Sequence, residues 1–265
     1  MKVIIFRELK ANRKSLLIWM FGMFVMVGLG AMEYPTLVER ADSIGPMLEM
    51  MPRIMRVIFG MDIVPVTTPL GYYVCLFLWY CIVAFMHAAV LGATIIAKEE
   101  RDRTSEFLFT KPYSRNVIIT GKLIAAALNV MAMALITWVL NLITIFPQIQ
   151  GENILPEISI TILGMFFGQL LFLSVGILLS GVCKHHGRAL SLSISFVLFA
   201  YVLSVAIEFS GKINFLSVLT PFQYFSAPYI VENGINMIFL LLAFAFIGVF
   251  TFMNFKFYGR RELHN

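Results

Sequence analysis

Residues 70–97 read LGYYVCLFLWYCIVAFMHAAVLGATIIA. The run contains no Asp, Glu, Lys or Arg. It is longer than the ~20 residues a helix needs to cross a hydrocarbon core. A helix that is apolar on every side has no face suited to water, so it belongs in a large core or in lipid. Five further runs of the same kind occupy residues 15–32, 123–146, 158–182, 189–209 and 235–255. No series of ~10-residue alternating segments is present, which sets aside an outer-membrane barrel. The composition agrees. Of 265 residues, 60% are hydrophobic and 13% charged, about half the charged share of a soluble domain. A soluble chain of this length cannot cover that much apolar side chain, and a disordered one would not carry it. The expected fold is therefore all-α: one polytopic transmembrane domain over residues 1–265, with six spans.

Orientation follows from charge. The net charge is +5, which in a membrane protein reports topology rather than a nucleic-acid partner. Of the 20 Lys and Arg, all but Arg40, Arg53, Arg56 and Lys212 fall before span one, between spans two and three, between four and five, or after six. Cytoplasmic loops collect these cations, so both termini are expected in the cytoplasm. Gly28-Leu29-Gly30-Ala31 offers small residues as at a signal-peptide cleavage site. Cleavage would leave five spans and opposed termini, so it is not expected.

The segments between spans carry most of the information. In residues 1–14, Arg7, Lys10 and Lys14 share one helical face while Val3, Phe6 and Leu9 share another. This reads either as an amphipathic helix lying in the headgroup layer or as a basic flank that only sets topology. Residues 46–60 have a polar stripe of Glu49, Arg53 and Arg56, which predicts a short outer helix interrupted or opened by Pro52. It serves either as an exit gate or as simple interfacial packing. Residues 215–225 are apolar but too short to span. With Pro221 and Pro228 they predict short re-entrant helices before span six. Between spans two and three, Glu99 and Arg103 form a favourable i, i+4 pair. Phe107, Leu108 and Phe109 then put apolar bulk beside charge, and Pro112 ends the helix. Residues 98–112 are a docking element or a solvated connector.

Polar groups inside the spans are few. His87, Asn129 and Glu208 are candidate substrate-path residues, since an ionisable or polar group in lipid is a functional hypothesis by default. Asn141 and Gln169 are further buried polar positions. No file of carboxylates marks a proton or sodium path. Gly164, Gly168, Gly176 and Ser180 recur on one face of span four. Small residues there let backbones approach, either within the chain or across a dimer seam. Cys75, Cys81 and Cys183 read as packing residues, and no metal site is expected, Cys183, His185 and His186 included. No GxxxxGK[ST], HExxH or GxSxG occurs, so neither a phosphate cradle nor a familiar catalytic motif is present.

Residues 98–122 resemble the hallmark of type-2 ABC-transporter permeases: Glu99 and Glu100, then Thr104, Glu106, Phe107-Leu108, Thr110, Pro112, Arg115 and Gly121-Lys122. Arg7-Glu-Leu-Lys with Trp19 resembles that family's connecting helix. Phe59-Gly60-Met-Asp62 with Thr67-Thr-Pro-Leu-Gly-Tyr72 resembles the outer loop of one bacterial subgroup, and Leu219-Thr-Pro-Phe222 with Tyr224 the re-entrant helices. Arg103 departs from the glycine many relatives carry there. The large extracellular insert of some drug- or peptide-handling relatives is missing. The resemblance implies that residues 98–112 are a coupling helix seated in an ABC ATP-binding subunit. Glu99, Glu100, Arg103, Thr104, Glu106, Phe107, Leu108, Lys111, Pro112 and Arg115 would make that contact. ATP and Mg would be bound by the partner subunit, not by this chain. Two permease chains, identical or sister, would form the pathway in the lipid bilayer. The apolar, Met-rich lining implies export of an amphipathic or hydrophobic substrate, such as an antimicrobial or cytolytic peptide or a drug. A secondary transporter or channel acting without an ATPase, and a non-transporting sensory or structural subunit, are the alternatives.

Overall fold

A computed structural model describes residues 1–96, 115–145, 153–183 and 185–259. Every regular element among them is helical. Six helices are long and apolar enough to cross a membrane: α1 (Lys2–Glu39), α4 (Pro69–Ile95), α5 (Arg115–Thr144), α6 (Leu155–Val182), α7 (His186–Ser210) and α10 (Met237–Gly259). The protein is a polytopic all-α membrane protein. Six crossings return the chain to the face where it began, here called the terminal face. The opposite, distal face carries the short helices α2 (Ala41–Glu49) and α3 (Arg53–Phe59). It also carries a 3-10 turn (Asn214–Leu219), α8 (Pro221–Tyr224) and α9 (Ala227–Asn233).

Two boundaries differ from the sequence expectation. A separate interfacial helix over 1–14 is not present, because α1 runs unbroken for 38 residues, roughly 57 Å at 1.5 Å per residue. Residues 10–20 contain neither Gly nor Pro, so nothing interrupts the backbone ladder there. In the distal segment the interruption at Pro52 is present, but the first helix starts at Ala41 rather than at 46. Pro46 lies inside α2, and the break falls at Met50–Pro52.

The core is built around α4 and α6, whose apolar faces are the most buried of the six spans. Gly92 and Gly176 meet where the two helices cross. A Cβ on Gly176 would lie 2.8 Å from Ala93 N, with Ala89 O nearer still, and one on Gly92 would lie 3.0 Å from Ile177 N. Both approaches are to backbone, so only glycine permits this separation. Hydrogen bonds lock the pair together and tie α1, α5 and α10 to it. Tyr73 Oη and Thr161 Oγ1 are 2.6 Å apart across α4 and α6, and Tyr72 donates to Gly30 O of α1 at 2.6 Å. Trp138 of α5 donates to Ser159 Oγ at 3.1 Å. Asn254 of α10 donates to Ile177 O at 2.6 Å. In lipid such bonds specify helix pairing, because apolar contact alone does not distinguish helix from lipid.

α4 starts sharply. Thr68 caps it by accepting from Gly71 N at 3.1 Å, and Pro69 occupies the first turn, where its missing N–H costs nothing. A side chain at Gly71 would collide with Pro65 O. The Thr-Pro-Leu-Gly string is thus a complete helix-start signal.

Candidate functional site

At the terminal face, Glu99, Glu100, Arg103, Thr104, Glu106, Phe107, Leu108, Lys111 and Pro112 lie outside the described residues. Arg115 is the first residue of α5. What the structure describes is how the two helices flanking this segment are held. Lys122, 3% exposed, donates from Nζ to Ile95 O in the last turn of α4 at 2.7 Å. A cation at a helix C-terminus meets the negative end of the dipole and satisfies an open carbonyl. One residue earlier, Gly121 admits the start of α1: a Cβ there would lie 2.9 Å from Ile4 Cγ2. Gly121-Lys122 therefore joins α1, α4 and α5 beside the candidate coupling segment. One turn along α1, Glu8 is 2% exposed, and its Oε2 has no hydrogen-bond partner among the described residues. The sequence pattern placed the cations of this helix outward but did not single out Glu8.

Within the spans, the three candidate path residues are not brought into one polar group. His87, 2% exposed, packs its ring against Trp19 of α1 with centroids 5.8 Å apart, and its Nδ1 has no partner among the described residues. Asn129 turns onto its own helix and donates to Ala125 O at 2.8 Å. Glu208 stands near the distal end of α7. The small residues of α6 face inward within this chain. Gly164 abuts Ile230 and Phe225, Gly168 abuts Phe85, Gly176 meets α4, and Ser180 is buried. No group of three or more His, Cys, Asp or Glu comes together among the described residues.

Glu208 borders a pocket in the distal half, about 610 Å³ including its open mouth. Val74, Phe77, Leu78, Cys81 and Phe85 of α4 form one wall, and Tyr201, Ser204 and Val205 of α7 another. Phe222 and Phe225 close it from the re-entrant turn, and Val57, Gly60 and Ile63 from the segment around α3. An aromatic cluster sets the inner wall: Phe222 lies 5.0 Å from Phe85, 5.8 Å from Phe172 and 5.7 Å from Tyr201, centroid to centroid. Edge-on contacts of this kind hold rings in fixed orientations. The re-entrant turn is fixed by Thr220, which donates to Ala200 O at 2.7 Å. The outer segment is fixed by Tyr201, which donates to Ile58 O at 2.6 Å. Arg53 and Arg56 both reach Asp62, at 3.0 and 3.2 Å. Arg53 also donates to the last carbonyls of α7, Glu208 O and Phe209 O, each at 3.4 Å. The sequence reading singled out Glu208 and the 215–225 stretch separately. Their meeting around one pocket depends on how the turn folds back, which no local pattern encodes.

Six apolar spans and the polar links between them define a multi-pass membrane protein. A family model described as ABC-2 family transporter protein matches residues 3–256, and the chain belongs to that family. It is accordingly the membrane subunit of an ABC transporter, a family that works with an ABC ATP-binding partner. No curated protein matches the chain.

Proposed function

We propose that this subunit exports an amphipathic or hydrophobic substrate, such as a membrane-active peptide or drug, from a bacterial cell. In this reading both termini are cytoplasmic and two permease chains, identical or sister, assemble with two ATP-binding subunits. ATP and Mg act on those subunits. Residues 98–112 form the coupling element, with Glu106 and Phe107 at its centre. The observation that carries the reading is the placement of α4. Its C-terminal end leads into the coupling segment and is tied to α5 by Lys122, while its N-terminal half lines the distal pocket. A 27-residue helix is a rod of about 40 Å. Motion delivered at one end reaches the pocket wall at the other without passing through a loop. Inside-out membrane vesicles containing the full transporter should take up a fluorescent amphiphile on ATP addition, and Glu106→Lys should abolish that uptake with the chain still inserted. Undiminished ATP-driven uptake by Glu106→Lys would refute the coupling assignment.

A further inference from the structure

The polar atoms around the distal pocket are unevenly committed. Its amide, guanidinium and phenol donors are engaged within the protein. Gln223 Nε2 donates to Ser204 Oγ at 2.9 Å and to Ser204 O at 3.3 Å, and Tyr201 Oη donates to Ile58 O. The guanidinium of Arg53 is held on Asp62 and on the helix-end carbonyls. What remains toward the pocket is the hydroxyls of Ser204 and Ser226 and the Glu208 carboxylate. Among the described residues no ion pair or hydrogen bond engages that carboxylate. Arg53, Arg56 and Asp62 are the charged neighbours, and Asp62 shares the two arginines. Burial and the Asp62 carboxylate disfavour the Glu208 charge more than Arg53 favours it, and a bound cation relieves that cost. Most of the remaining wall is aliphatic and aromatic, as in sites that take apolar ligands.

We propose that the distal pocket binds a hydrophobic ammonium. One protonated amine sits on Glu208, and an apolar body extends from it along Phe77, Phe85 and Phe222. This rests on the reading that the subunit handles amphipathic molecules, and it names the charge of what the chain accommodates. The same chemistry is offered by a free amphiphilic amine and by an aminophospholipid headgroup.

The test uses the purified chain in uncharged maltoside micelles without any ATP-binding subunit. The probes are dansylcadaverine, which carries a primary amine, and its N-acetyl derivative, both followed by dansyl emission against empty micelles. The expected result is a preference of ~10-fold for the amine, the size of one charge-assisted contact. Glu208→Gln should bring the ratio to ~1, and Glu208→Asp should keep a preference. Val205→Trp, which fills the cavity, should weaken both probes ~10-fold, the loss expected from blocking an apolar seat. Each variant is first shown to be monodisperse. Added phosphatidylethanolamine that displaces the probe identifies the headgroup as the source of the ammonium. Failure of any phospholipid to displace it identifies a free amine. Equal displacement by phosphatidylglycerol overturns the proposal, as does equal binding of the two probes or an unchanged ratio in Glu208→Gln. Because no ATPase is present, loss of the preference leaves the permease reading standing, and loss of the permease reading leaves the binding result standing.

Discussion

Replacing Gly176 with alanine tests the packing from which the rest of the fold is hung. The added Cβ would fall 2.8 Å from Ala93 N, with Ala89 O nearer. A carbon needs roughly 3.5 Å from such atoms, so the two helix axes must separate by close to 1 Å. The obstacles are backbone atoms, so no side-chain rotation can relieve them. Overpacking of this kind costs about 1–3 kcal/mol. Replacing a helical glycine returns roughly 0.5–1 kcal/mol of backbone entropy, leaving a net loss of about 0–2.5 kcal/mol. Gly92→Ala should behave alike, since it meets Ile177 N at 3.0 Å with Leu173 O nearer. The double variant should cost less than the sum, because one separation accommodates both methyl groups. Gly22 and Gly28 of α1 have nothing within 4 Å of a built Cβ, so alanine there should be neutral or slightly stabilising. Gly164→Ala should fall between, because its obstacles are the side chains of Ile230 and Phe225. SDS-driven unfolding in mixed micelles, read by Trp fluorescence, ranks the five single variants and the double. A Gly176→Ala protein as stable as Gly22→Ala would refute the argument that the α4–α6 crossing is backbone-limited.

Two further outcomes are expected. Lys122→Met should loosen α5 from the end of α4, losing about 1.5–3 kcal/mol as a charge-assisted bond is removed from a buried site. ATP-driven transport should fall more than stability, which paired SDS unfolding and vesicle uptake measure. Asn254→Ala removes the bond from α10 to Ile177 O and should cost about 0.6–2 kcal/mol. It should also raise proteolytic nicking around α10, measurable by limited digestion of the micellar protein.

The spans were legible because each is a long run without charge, and lipid imposes that requirement on every crossing. Span ends were less so. α5 starts at Arg115 rather than 123, because polar residues 115–122 continue the helix past the point where hydropathy stops. Lys122 inside that turn was legible only as a topological charge, yet it is buried on a carbonyl. On the distal side, the stripe of Glu49, Arg53 and Arg56 was visible, but its partner Asp62 was not. Asp62 comes within reach only because Gly60 takes a left-handed conformation, φ +73°, and turns the chain back after α3. Gly176 announced itself by spacing. Its partner Gly92 lies isolated in α4, so the crossing point could not be assigned from either helix alone.

The central claim is that residues 98–112 join this subunit to an ATP-binding partner. The most direct measurement is a mild-detergent pull-down of the tagged chain from its native membranes, with every co-purifying protein identified and crosslinks mapped from residues 99–111. The account predicts a stoichiometric subunit bearing a Walker A motif, crosslinked to that segment and lost with Glu106→Lys. A chain that comes down without such a subunit, and that forms no crosslink from residues 99–111, would contradict it.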